Sequence, residues 1–174
     1  MAFQPIISGR VWKFGDNVST TDITPGEMFM NTLNTTMVPK EIAFAALRPE
    51  WRSLVKPGDC IVAGKNFGYG SHRAIANDVM KDLELGCIVA DSIARIYYRN
   101  SIASGFVAMD CPGVSEMFEE GDRIEVNTLT GEIKNLTTGK SIKANAYPQE
   151  LMDILENGGM VPAILARFAE EKEA

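Results

Sequence analysis

Hydrophobic residues in the middle of the chain form short unbroken runs, separated by stretches in which they recur every third or fourth position. Cys60-Ile61-Val62-Ala63 lies between Pro57-Gly58-Asp59 and Gly64, and Cys87-Ile88-Val89-Ala90-Asp91 repeats it. Runs this short, partly β-branched and bounded by turn formers, predict buried strands. Between them Ile75, Val79 and Leu83 recur every fourth residue, with Ala76 and Met80 beside them and Gly86 as a stop, which predicts a helix. The pattern is a βαβ unit whose two strands are parallel neighbours. A second unit follows, with Ser92 as the expected cap of a helix through Ile93, Ile96, Tyr97 and Ile102, Gly105 as its end, and Phe106-Val107-Ala108-Met109 as the next strand.

From Asp122 the period changes to two. Arg123 to Asn127 and Glu132 to Leu136 alternate around a turn at Thr130-Gly131, and Thr138-Gly139 turns into Ser141 to Ala144, predicting an antiparallel meander. Pro148 to Asn157 and Pro162 to Glu171 read as two closing helices broken by Gly158-Gly159, with an acidic tail beyond them. The first sixty residues are less regular. Val11 to Phe14 predicts a strand, Gly15 to Gly26 a structured loop dense in hydroxyls and turn formers, and Pro39 to Leu47 a short helix; Met28 to Thr36 carries no period.

Composition narrows the function. The 174 residues are 45% apolar, enough for a sizeable core in a single domain spanning 1–174. Seventeen basic residues, scattered along the chain, against twenty-three acidic ones give a net charge of -6, which argues against nucleic acid and anionic membranes as partners. With no apolar stretch of membrane-spanning length and no signal-peptide pattern at Met1-Ala2-Phe3-Gln4-Pro5, a cytoplasmic protein acting on small metabolites is expected. Cys60, Cys87 and Cys111 lie 27 and 24 residues apart and His72 is the single histidine, so no self-contained metal or iron–sulfur site is expected, and the thiols read as core residues.

The candidate chemistry sits in Gly64-Lys65-Asn66-Phe67-Gly68-Tyr69-Gly70-Ser71-His72-Arg73, a strand-to-helix turn. The unpaired N–H groups of such a helix start attract a carboxylate or phosphate. A phosphate loop closes on Gly-Lys-Ser/Thr, whereas here Gly64-Lys65 opens the segment, and the spacing for dinucleotide binding fails as well, with Asp91 the one acidic residue near the required offset. Ser71 and His72 are no nucleophile–base pair, because neighbours on a helix diverge by about 100°. On spacing alone Ser71 is either a proton carrier or a helix cap.

Asn66 to Arg73, together with Ser92-Ile93-Ala94-Arg95-Ile96-Tyr97-Tyr98-Arg99-Asn100-Ser101-Ile102 and Gly15-Asp16-Asn17-Val18-Ser19-Thr20, resembles the swivelling domain of the aconitase superfamily, and within it the small subunits of 3-isopropylmalate dehydratase. The resemblance runs from about residue 11 to 112. It implies an α/β fold with three β/β/α layers. It also implies a hydro-lyase that moves the hydroxyl of a 2-hydroxy dicarboxylate to the neighbouring carbon, as in leucine biosynthesis, and acts only with a large subunit carrying a [4Fe-4S] cluster. By position it makes Ser71 the base and Arg73 a carboxylate holder, with Thr20, Met28, Phe29, Met30, Gly70 and His72 around the substrate. Where the family has Ser-Ser-Arg-Glu-His-Ala this chain has Ser71-His72-Arg73-Ala74-Ile75-Ala76; Thr21 replaces an Asp, and Glu27-Met28 an Arg-Tyr pair. Met28-Phe29-Met30-Asn31 offers no cation for a third carboxylate, so an alkyl substituent is expected, as in isopropylmalate, 2-methylmalate or 2,3-dimethylmalate. A non-catalytic carboxylate-binding relative is the alternative of a different class.

Overall fold

A computed structural model describes residues 3–25, 39–71 and 74–173. Seven strands form one sheet in the order β4-β3-β2-β1-β5-β6-β7, where β1 is Ile6–Phe14, β2 Cys60–Ala63, β3 Ile88–Ala90, β4 Ala108–Asp110, β5 Arg123–Asn127, β6 Glu132–Asn135 and β7 Ser141–Lys143. The strands β1 to β4 are parallel and β5 to β7 form the antiparallel meander. The helices are α1 (Thr20–Ile23), α2 (Trp51–Leu54), α3 (Ala74–Asp82), α4 (Arg95–Ala103), α5 (Val114–Met117), α6 (Gln149–Glu156) and α7 (Met160–Glu173).

The first strand joins the two halves. Its C-terminal part pairs with β2, Val11 opposite Cys60 through Phe14 opposite Ala63, while its N-terminal part pairs with β5, Ile6 opposite Asn127 through Arg10 opposite Arg123. The strand is therefore longer than the Val11 to Phe14 expected from sequence, because Ser8-Gly9-Arg10 interrupts the apolar pattern without interrupting the backbone pairing. Gly9 sits where the turn before β2 crosses. A Cβ there would stand 2.2 Å from the Gly58 carbonyl oxygen and 2.8 Å from the Cys60 sulfur.

Alternation along the parallel strands feeds two cores. Trp12, Phe14, Ile61, Ala63, Ile88, Ala90 and Ala108 pack with Ala76, Val79 and Met80 of α3 and with Tyr97 of α4. Val11, Cys60, Val62, Cys87, Val89 and Met109 face Ile124, Val126 and Ile133 of the meander and Met152 and Leu155 of α6. Being covered on both faces is why β2 and β3 read as unbroken apolar runs, and it generates the expected order of helix, parallel sheet and antiparallel sheet. All three cysteines are free and buried. Cys60 and Cys87 adjoin across β2 and β3, and a hydrogen bond to Cys60, with burial, pushes the Cys87 thiol well above its ordinary range.

Aromatic stacking pins the segment before β2. Phe44 lies 4.5 Å from Phe14 and 4.8 Å from Trp51, the latter edge-on, and Trp12 donates its indole N–H to buried Asp59 at 2.8 Å. The helix expected over Pro39 to Leu47 shrinks to a 3-10 turn at Pro39–Ile42. It stops there because Phe44 takes φ 56° to reach this cluster, its N–H donating to the Ile23 carbonyl.

The edge strand β4 is closed by a side chain. Ala108 donates its N–H to the Tyr147 hydroxyl at 3.1 Å, and that hydroxyl donates back to the Ala108 carbonyl at 2.5 Å. Burial pushes the Tyr147 phenol well above its ordinary range, so the hydroxyl keeps the proton it donates. Tyr147→Phe leaves two buried backbone groups without partners and is expected to lower unfolding free energy by about 1–3 kcal/mol. A urea titration with a reduced midpoint at unchanged slope is the expected result.

Candidate active site

Beyond their last paired residues, β1, β2 and β3 continue side by side. The chain after β2 is bonded to the chain after β1, with Asn17 N–H donating to Lys65 O (2.8 Å), Gly68 N–H to Val18 O (2.7 Å) and Thr20 N–H to Tyr69 O (2.8 Å). On its other side Phe67 N–H donates to Ser92 O (3.0 Å) and Ala94 N–H to Phe67 O (2.8 Å). The glycine loop is thus the middle of three extended segments, and it runs Ser71 past the C-terminal edge of the parallel sheet, where open α/β sheets place ligands.

Two features explain the glycines. Asn66 (φ 63°), Gly68 (φ 74°) and Gly70 (φ 108°) hold left-handed backbone. A Cβ on Gly68 would also enter the Tyr97 ring, 2.3 Å from its Cγ, while one on Gly64 would stand 2.0 Å from Asp16 Oδ1, the atom that accepts Lys65 N–H at 2.7 Å. Phe67 and Tyr97 then meet edge-on at 5.5 Å, which fixes the loop to α4.

These contacts enclose a cavity of about 290 Å³ whose lining includes Thr20, Gly70, Ser71, Asn77, Arg95 and Asn100. Ser71 is exposed, and its carbonyl accepts the Thr20 hydroxyl at 3.1 Å. Thr20 is itself held by the capping box of α1, in which Ser19 N–H donates to Asp22 Oδ2 (2.7 Å) and Asp22 N–H to Ser19 Oγ (3.0 Å). Of the residues assigned to the site from sequence, the structure brings together Thr20, Gly70 and Ser71. Met28, Phe29, Met30, His72 and Arg73 lie outside the described residues. The helix after the loop begins at Ala74, three residues beyond Ser71.

Other lining residues were not assigned to the site from the sequence. Asn77, Arg95, Ile96 and Asn100 come from α3 and α4. Arg95 and Ile96 follow the C-terminal end of β3, so the rule that ligands gather beyond parallel strand ends was the available signal. Ser92 does not cap α4. It is drawn into the extended segment, where its Oγ accepts Asn66 N–H at 2.8 Å, and the helix starts at Arg95 with no side-chain cap. Asp91 is committed elsewhere, accepting Gly113 N–H, Ser115 N–H and the Ser115 hydroxyl at 3.0, 3.0 and 2.7 Å. Asp110, beside this region, accepts Ile93 N–H, and burial holds its carboxyl above the usual carboxylate range.

The cysteines do not fit an iron–sulfur cluster. They are buried in the sheet core, and among the described residues no three His, Cys, Asp or Glu side chains converge as a metal site would require.

The aconitase C-terminal domain family matches residues 32–113. The isopropylmalate/citramalate isomerase small subunit of Methanocaldococcus jannaschii is 46% identical over 170 residues, 96% of this chain and 98% of that one. The chain belongs to the 3-isopropylmalate dehydratase small-subunit family. The small subunit from Aquifex aeolicus is 43% identical, with 95% of each chain covered. A crystal structure of 3-isopropylmalate dehydratase from M. jannaschii superposes with a TM-score of 0.86 at 34% identity, covering 97% of this chain and 99% of that one. The three-layer swivelling fold and membership of a family of hydro-lyase small subunits, which work with a large subunit of the aconitase superfamily, are therefore shown.

Gly68 is the residue on which the small-subunit loop geometry turns. Gly68→Ala combines left-handed strain with an overlap on Tyr97 and is expected to cost about 2 kcal/mol or more. Hydrogen exchange should show the Thr20 amide, bonded to the neighbouring Tyr69, losing protection ahead of amides in β2.

Proposed function

We propose that residues 1–174 act as the swivelling small subunit of a cytoplasmic two-chain hydro-lyase that interconverts 2-isopropylmalate and 3-isopropylmalate. The observation that carries this is Ser71, presented at the cavity by a loop bonded on both sides and by the Thr20 hydroxyl on its carbonyl. In the reaction a proton leaves one carbon and hydroxide its neighbour, giving a double bond, and water adds back in the opposite sense. Ser71 takes the proton. A serine alkoxide needs stabilisation, which the start of α3 and Arg73 supply in this reading, Arg73 also pairing with a substrate carboxylate. The [4Fe-4S] cluster and its Lewis acidity are assigned to the large subunit, in line with the small-subunit names of the relatives and with thiols here that suit a core.

A second substrate has specific support. The Methanocaldococcus relative is named for both isopropylmalate and citramalate, which is 2-methylmalate. Met28-Phe29-Met30 suits either alkyl group, since a third carboxylate set among apolar side chains would lack a partner.

Two measurements on the complex with the large subunit test the assignment. Ser71→Ala is expected to cut kcat at least about a hundredfold while leaving unfolding free energy and subunit association near wild type. Were Ser71 only a structural residue, turnover would stay normal and stability would fall by about 1 kcal/mol. Met30→Arg should lower kcat/KM for the alkyl malates and raise relative activity on a tricarboxylic analogue, because a fixed cation can then receive the extra carboxylate. An unchanged ratio would remove the loop from substrate selection.

A further inference from the structure

The cavity that presents Ser71 has a second charged feature, on α4. Arg95 lines it, is exposed, and makes no ion pair or hydrogen bond among the described residues. Arg48 behaves differently, with its guanidinium on Glu120 at 2.6 and 2.9 Å. Arg95 also opens a nine-residue helix whose cap, Ala94, offers no side-chain acceptor. Ala94 N–H is used by Phe67 O and Tyr98 N–H by Ala94 O, which leaves the N–H groups of Arg95, Ile96 and Tyr97 without partners among the described residues. A guanidinium and a bare helix start on one wall both call for an anion.

An independent observation comes from Asn77. It lines the same cavity at 1% exposure, and its amide nitrogen is committed to Ser101 Oγ (2.7 Å) and Tyr97 O (3.3 Å), but its Oδ1 has no partner among the described residues. A buried acceptor left unpaired is costly, so the wall lacks a donor as well as an anion. A hydroxy acid carries both groups.

We infer that Arg95, with the first-turn N–H groups of α4, binds one carboxylate of the dicarboxylate substrate in the Ser71 cavity, making it a substrate-binding residue distinct from Arg73. The inference rests on the hydro-lyase reading above. Because Arg95 is exposed and unpaired, replacing it leaves the fold intact, and unfolding curves of the variants verify this.

The test uses the full complex with its large subunit, assayed on an alkyl malate and on the half-amides of its two carboxyl groups. Arg95→Gln is expected to raise KM about 10- to 100-fold with a smaller change in kcat, the scale of a lost charge-assisted bond. It should also flatten the preference for the diacid over one of the half-amides. Arg95→Lys, which keeps the charge but not the planar fork, should fall between. Arg99→Gln removes the same charge one turn along α4 from a residue outside the cavity lining, and should match wild type. Wild-type KM and diacid preference in Arg95→Gln would overturn the assignment while leaving the hydro-lyase reading standing, as would an equal rise of KM in Arg99→Gln. A wild-type complex inactive on every alkyl malate would overturn both.

Discussion

The site depends on hydrogen bonding that carries the parallel sheet past the ends of its strands. In most α/β proteins the loops after adjacent strands diverge, but here residues 17–20, 65–69 and 92–94 stay paired as three extended segments. The middle one therefore has neighbours on both sides, and Ser71 lies two residues beyond its last backbone bond, at Tyr69. Ordering a loop costs roughly 1–2 kcal/mol per residue in backbone entropy. The sheet bonds meet that cost in the folded state, before any ligand arrives, and such preorganisation is what a weak base such as a serine hydroxyl requires.

The same logic explains the demand for small residues at backbone crossings. The middle segment turns through left-handed backbone at Asn66, Gly68 and Gly70, within a five-residue span. Gly68 meets a second demand, since its missing side chain lets Tyr97 close over the loop. Tyr97 also lines the cavity, on the helix that carries Arg95, so backbone turn, aromatic contact and cavity wall are joined through α4. Far from the site, Gly9 does comparable work: without it the first strand could not serve both sheet halves, and the antiparallel layer would not cover the second core.

Much of this was legible in the sequence, for identifiable reasons. The βαβ units were readable because strands buried on both faces are continuous apolar runs, and the meander because its strands bury only one. Ser92 was misread because a serine before an amphipathic stretch has the same local signature whether its hydroxyl serves its own helix or a neighbouring loop, and here Asn66 takes it. The first half of β1 was hidden since its pairing is a matter of backbone and register, to which Ser8, Gly9 and Arg10 contribute no pattern. Ser71, Thr20 and Gly70 were found through a motif. Asn77 and Arg95 were not assigned to the site, although Arg95 stands in a quoted motif, because their significance comes from what they lack, and an absent partner is visible only once the chain is folded.

An acidic chain with an anion-seeking cavity poses an electrostatic question that the local bonding resolves. Distant carboxylates are damped over about 10 Å at 0.1 M salt, so the acids near the cavity matter more than the net charge. Four acids on or beside the extended segments are engaged. Asp16 accepts Lys65 N–H, Asp22 accepts Ser19 N–H, Asp91 accepts two backbone N–H groups, and Asp110 accepts Ile93 N–H. Each holds a loop in place, and each has its charge partly compensated by the donors it binds. These four carboxylates therefore brace the loops, while Arg95 and the start of α4 have no partner among the described residues. In the proposed reading the cavity receives a dianion at Arg95 although the whole molecule carries the same sign of charge.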